Sequence, residues 1–328
     1  ITDISDLRFL MTLSLRDNIL PPDLYYHTEL EPDTLLYYQS DSFIDYPGLA
    51  EAAKRTGRLE EATFFLKTLL FLGREPQTLM NASSELAAMG DMAAAFEGVR
   101  EILGNPAILQ GGVYGLLRQI CATSAANGEF QLAQDALELL ERGTGEAQPH
   151  LSLEIARAYT AAGRKSEALE AFSRLVAYYP AYDAGAIQAD AFLREQFNLE
   201  EQIAFWKEAV ENKDASYLCW FYLGKVLEVK GDRSAAADAY ANAYGRNREN
   251  PEIAISYATA QTETITISDA IQIIEDAISH YPAEAALAAS RLLQAAIFLQ
   301  EKGRHEDVLP LLDLAGRYTV DVNPLHLL

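Results

Sequence analysis

The sequence predicts an all-α chain built as a right-handed superhelical solenoid of stacked antiparallel helix hairpins, about eight in number, and three observations carry that reading. Phe172, Trp206, Tyr240 and Ile274 stand 34 residues apart, a fixed period of the size at which one helical hairpin repeats. The same register carries Ile155, Ala189, Leu223 and Tyr257, then Leu175, Ala209, Ala243 and Ala277, then Ala168, Ala236 and Ala270, with Gln202 the one break. Gly57, Gly90, Gly128, Gly163, Gly231 and Gly303 each follow one apolar helical stretch and precede another, the place where a positive φ ends a helix and glycine adopts it at least cost. Such hairpins bury small residues where their two helices cross and large ones against the next hairpin, so none is stable alone.

Taken in chain order, residues 1–42 lie outside the clear repeats. Thr2 to Asp17 has helical spacing through Ile4, Leu7, Leu10, Met11 and Leu15 until Pro21-Pro22 stops it. Tyr25-Tyr26 and Tyr37-Tyr38 read as a helical cap over the first hairpin. Turn signals at Gly57, Gly90 and Gly128 place copies near 43–75, 76–109 and 114–147. Regular copies follow at 149–182, 183–216, 217–250 and 251–284. In the copy at 183–216, Phe197 stands at the turn and Gln202 at the small-residue position. In the copy at 251–284, Ile265 takes the turn within the β-branched run Thr262 to Ser268, which predicts a poor helix end and a loose connection. Gly303 lies 72 residues after Gly231, two periods plus four, so the last copy, 289–322, has a lengthened first helix. Residues 319–328 are a tail whose leucines pack on the last hairpin or lead into further chain. Soft joints are expected at Gly104-Asn105-Pro106 with Gly111-Gly112, and from Gly143-Thr144-Gly145 to Pro149.

The copy at 217–250 carries Trp220, Leu223-Gly224, Gly231, Ala236 and Tyr240 in the order and spacing of a tetratricopeptide repeat, and the chain resembles that family over roughly residues 43–318. The resemblance continues through Tyr159, Gly163, Ala168, Phe172 and Pro180 and through Ala258, Ala270, Ala277 and Pro282. One elongated solenoid, rather than two globular domains, follows from it.

The 26 basic residues against 48 acidic ones leave a net charge of −22, which repels a nucleic-acid duplex or an anionic membrane. No nucleic-acid partner is expected. The richest apolar segment, Phe64 to Leu72, is interrupted by Lys67 and suits a core helix, so this chain carries no membrane insertion of its own. Eight lysines beside eighteen arginines in an alanine-rich chain point to a GC-rich bacterial genome. Cys121 and Cys219 fall three repeats apart, too far for a disulfide at about 10 Å per packed helix layer. They read as free buried thiols, compatible with a cytoplasm and with a bacterial periplasm. Ile1 is not an initiator methionine, so an upstream signal or anchor is an open question and the compartment with it.

Catalytic and cofactor signatures are missing from the sequence. His305-Glu306-Asp307 has no second histidine at zinc-helix spacing, and His27, His150, His280 and His326 never fall in ligand spacing with the cysteines. There is no nucleophile elbow and no phosphate loop. Glu60-Glu61 and Glu200-Glu201 open second helices, where negative charge favours the dipole. Asn81-Ala82-Ser83 matches a glycosylation sequon within a predicted helix. No enzyme activity, cofactor or metal is expected.

The tetratricopeptide resemblance implies that the first helix of each hairpin lines a concave surface facing a ligand. Its fifth positions here are Leu153, Ile187, Phe221 and Ile255, again 34 apart, flanked by Arg118, Arg157, Arg194 and Lys225. The expectation is an apolar ladder with cationic flanks for a protein or peptide segment bearing spaced apolar residues and carboxylates; the alternative is that the ladder is core and the cations are solvated. Some family members clamp a peptide's C-terminal carboxylate, but Ala122 stands where the asparagine partner of Arg118 should be. The function expected is a non-enzymatic interaction scaffold. The alternative is a periplasmic module of a larger bacterial secretion or exopolysaccharide-export apparatus, with a polysaccharide-handling partner.

Overall fold

The computed structural model describes residues 46–72, 75–104, 111–262 and 264–320. The N-terminal cap expected within 1–42, the joint at Asn105-Pro106 and the leucine tail 321–328 lie outside the described residues. Among those described, sixteen α-helices and one short 3-10 turn account for the regular structure. They fall into two compact units that meet in sequence at Ala162 and Gly163.

The first unit holds α1 (Tyr46–Arg55), α2 (Leu59–Leu72), α3 (Pro76–Ala88), α4 (Met92–Leu103), α5 (Gly111–Asn127), α6 (Phe130–Thr144) and α7 (Pro149–Ala161). Successive helices pack as antiparallel pairs, and each pair stacks on its neighbour within the unit. Its aromatic residues link the layers: Phe130 of α6 stacks on Tyr159 of α7 with centroids 4.1 Å apart, and the Tyr114 hydroxyl of α5 donates to the Gly143 carbonyl at 2.8 Å. The segment from Gly143 to Pro149 is tied down: the Gly145 N–H donates to Glu141 O and the Gln148 N–H to the Glu141 carboxylate, both at 2.8 Å.

The second unit holds α8 (Lys165–Tyr178), α9 (Asp183–Gln196), α10 (Leu199–Glu211), α11 (Tyr217–Lys230), α12 (Arg233–Arg246), α13 (Pro251–Ala260), α14 (Ile267–His280), the 3-10 turn Pro282–Glu284, α15 (Ala285–Glu301) and α16 (His305–Val320). Helix starts follow from side-chain caps: Ser216, Asp232, Asn250 and Thr266 each accept an N–H from the first turn of α11, α12, α13 and α14. The 34-residue series forms the spine of the core, with Phe172, Trp206, Tyr240 and Ile274 all at most 2% exposed. Gly224 is needed where α11 crosses α12, since a Cβ there would stand 2.7 Å from the Tyr240 ring. The six turn glycines expected from the sequence all have positive φ.

Two irregular copies are solved locally. Phe197 at the turn of α9 and α10 has an extended backbone, so no left-handed residue is required. The buried Gln202 turns its amide back onto this turn and donates to the Phe197 carbonyl at 2.8 Å. Asn198 and Glu201 close a capping box on α10, and Glu200 and Glu201 occupy its first turn. The loose connection expected over Thr262 to Ser268 is instead pinned at several points. Gln261 Nε2 donates to the Ala237 carbonyl at 2.9 Å, Arg304 donates to the Thr262 carbonyl at 2.7 Å, and Thr266 caps α14. Helix α13 does end early, at Ala260, as the β-branched run predicts, and hydrogen bonds on either side hold the connection. The first helix of the last hairpin, α15, has 17 residues against 14 for α11.

Candidate functional site

In the first unit, Arg118 sits half-buried on α5, with its Nε 3.4 Å from Gln148 Oε1. Leu153 is buried on α7, and Arg157 one turn later is exposed. In the second unit, α9 carries Ile187 and Arg194, α11 carries Phe221 and Lys225, and α13 carries Ile255.

The apolar ladder divides sharply by burial. Leu153, Phe221 and Ile255 are core residues, closed to any partner, whereas Ile187 is 46% exposed. Phe221 lies against Tyr222 and Tyr240, with centroids 5.7 and 5.9 Å away. Ile255 is enclosed with Ile274, Leu292 and Ala295. Neighbouring helices close over side chains of this size because burying a large apolar residue contributes about 1.5–3 kcal/mol. Packing therefore takes three of the four ladder positions, and Ile187 alone is offered to solvent.

The flanking cations are held in a polar network that the sequence did not disclose. Arg194 pairs with Asp190, whose carboxylate is buried while 59% of the arginine side chain stays in water. Burial pushes the Asp190 carboxyl above its ordinary range, and the Arg194 guanidinium opposes that rise. Lys225 pairs with Glu252 of α13 at 3.2 Å and lies 5.1 Å from the Phe221 ring centroid. The Tyr217 hydroxyl donates to Asp183, and burial together with that carboxylate raises the phenol to about 12. Tyr222 is pushed up too, by burial and then by Asp190 and Glu252. Asp183 and Tyr217 are 34 residues apart, so chemical complementarity at one repeat period was the signal that could have found this pair. For Asp190 the sequence offers only its position four residues before Arg194.

A second feature of the same unit is a cleft of about 100 Å³ between α12, α13 and α15. Helix α13 is four residues shorter than α11, and the space past its end is partly filled by Arg291. That guanidinium pairs with Glu228, which also accepts the Tyr240 hydroxyl at 2.8 Å. Arg233 lies over the Phe298 ring, 4.1 Å from its centroid. The Arg291 charge is thus matched within the walls by Glu228. Cys121 and Cys219 are buried free thiols, with burial raising both and Cys121 reaching about 12. Among the described residues no group of three or more histidine, cysteine, aspartate or glutamate side chains is placed to hold a metal ion, and no helix is long and apolar enough to cross a membrane.

No protein-family model and no curated protein matches the chain in sequence. Among solved structures it is similar to YrrB, described as a TPR protein with an unusual peptide-binding site, at 14% identity over 53% of this chain and 88% of that one, with a TM-score of 0.38. It is similar to the C-terminal part of a TPR repeat-containing protein from Cytophaga hutchinsonii at 12% identity, 75% and 95% coverage and a TM-score of 0.39. A tetratricopeptide repeat protein from Parabacteroides merdae matches at 16% identity, 74% and 99% coverage and a TM-score of 0.31. The architecture is all-α, with antiparallel helix hairpins stacked within each unit. At these identities and TM-scores the likeness carries nothing about ligand or site.

Proposed function

We propose that this chain is a non-enzymatic protein-interaction scaffold whose second unit holds a partner segment against the exposed face of α9, the first helix of its hairpin. The observation that carries the reading is Ile187. It is the open member of an otherwise buried apolar series, on the same helix as an arginine anchored by Asp190 yet largely in water. An apolar foothold two turns before an anchored guanidinium on the same helix suits a segment with an apolar side chain and a carboxylate, the latter taking charge-assisted hydrogen bonds from Arg194. Lys225 is already matched by Glu252, so the largely solvated Arg194 is the cation offered to a carboxylate.

Affinity capture with the wild-type chain and with an Ile187→Asp, Arg194→Glu double variant tests this. A partner recovered by the wild type and bound at least about tenfold more weakly by the variant, whose helical content is unchanged, supports the reading. Equal binding by both refutes it. A polysaccharide-handling partner, as the envelope-export reading expects, is one identity the captured protein can take.

A further inference from the structure

Helix α13 stops four residues short of the length of α11, and side chains of the flanking helices meet across the missing turn. Arg291 of α15 reaches Glu228 of α11, 63 residues away in sequence, and Arg233 at the start of α12 reaches the Phe298 ring of α15. These contacts skip a whole hairpin. The turn after α13 supplies a further wall, where Thr264 donates to Gln261 and Gln261 donates in turn to the Ala237 carbonyl at 2.9 Å. What these groups enclose is the cleft of about 100 Å³. It has room for a carboxylate and a few carbons but not for a folded element.

The two arginines of the walls differ in what they face. Arg291 is mostly buried and its charge is met by Glu228, which also accepts the Tyr240 hydroxyl at 2.8 Å. Arg233 makes no ion pair and no side-chain hydrogen bond among the described residues. Its guanidinium lies over Phe298, 4.1 Å from the ring centre, a separation at which an aromatic face holds the group and leaves the N–H donors along its edge to other partners. Gln294, one turn before Phe298 on α15, and Ser234, next to Arg233, also line the cleft, and neither side chain has a hydrogen-bond partner among the described residues. A seated guanidinium with two uncommitted neutral donors suits a carboxylate, because the planar fork pairs with one through two parallel hydrogen bonds. Glu228 and Asp238 stand in the same walls. Their charge disfavours a dianion such as phosphate and narrows the occupant to a monoanion.

We propose that this cleft is a carboxylate-binding site, in which Arg233, held by Phe298, pairs with the carboxylate while Ser234 and Gln294 add hydrogen bonds. The carboxylate belongs to an acidic side chain of a peptide or to a small free acid. The site uses other helices than α9 and does not rest on the reading of that face.

Saturation-transfer NMR on the full chain tests this with two acids and their isosteric amides: a blocked alanine-glutamate-alanine peptide against its glutamine counterpart, and butyrate against butyramide. One acid should bind at least about tenfold more tightly than its amide, the peptide if the source is a side chain and butyrate if it is a free acid. The preference should shrink as salt is raised. Arg233→Gln should lower the affinity of that acid to the level of its amide, and Arg233→Lys, which keeps the charge without the fork, should restore only part of it. Arg233 is exposed, so both variants should keep the wild-type urea midpoint. Equal binding of acids and amides overturns the proposal, as does acid binding that survives Arg233→Gln. Tighter binding of inorganic phosphate than of either acid overturns the choice of a carboxylate. An equal loss in Lys213→Gln, which removes an exposed cation elsewhere in the unit, marks a general charge effect and no site. Glu263 lies outside the described residues, between the wall residues Gln261 and Thr264 in sequence; acid binding that appears only in a Glu263→Gln variant makes the chain's own carboxylate the occupant and overturns the proposal too.

Discussion

Replacing Trp206 by alanine probes the core spine where its sequence is least regular. Trp206 has no accessible surface; its indole stacks on Tyr222 with centroids 5.2 Å apart and meets Phe205 edge-on at 5.0 Å. Its Nε1 has no hydrogen-bond partner, so the side chain contributes by packing alone. Burying an aromatic side chain of about 200 Å² at about 25 cal/mol per Å² amounts to about 5 kcal/mol. The unfolded chain already covers part of that area, which places the expected loss within the about 3–5 kcal/mol typical of such truncations. Trp206→Phe should lose much less, because it keeps most ring contacts and removes an unpartnered donor. Urea unfolding followed by far-UV circular dichroism measures both, with exposed Lys213→Ala as the control, expected within about 0.5 kcal/mol of wild type. Coincident midpoints for Trp206→Ala and Lys213→Ala would refute the assignment of this residue to the spine of the second unit.

Gly224→Ala should cost about 1–3 kcal/mol, since its Cβ would stand 2.7 Å from the Tyr240 ring; an unchanged urea midpoint would show that α11 and α12 have room to part. Arg194→Ala should cost about 1–3 kcal/mol at neutral pH by leaving the Asp190 carboxylate buried and unpaired. Asp190→Asn should cost less, and an Arg194→Ala, Asp190→Asn double variant should recover part of the loss; strict additivity of the two would argue against coupling. Cys121 and Cys219 should react with an aromatic disulfide reagent only when denaturant is present, and prompt labelling of the native chain would count against their burial. Because the folded thiols and Tyr217 are raised above their unfolded values, they release protons more readily when unfolded. Their contribution is whole below about pH 9 and is lost as pH rises towards 12; a urea midpoint flat over that window would contradict it.

A period of 34 residues was enough to predict stacked helix hairpins, because a repeat of fixed length must present the same side chain at the same layer each time. The turn glycines were legible for the same reason: a positive φ excludes most side chains and leaves a residue type as its record. The fate of the fifth-position ladder was not legible. Phe221 and Ile187 are equivalent in sequence, yet one is core and the other is open, and that depends on how closely particular neighbouring helices approach. Nor could the pattern foresee that Gln202 would serve the Phe197 carbonyl, or that Gln261 and Arg304 would fasten a β-branched connection, since these bonds join groups brought together only by folding. Local spacing and backbone sterics fixed the elements; tertiary packing and hydrogen bonding across layers decided which of their side chains remain available to a partner.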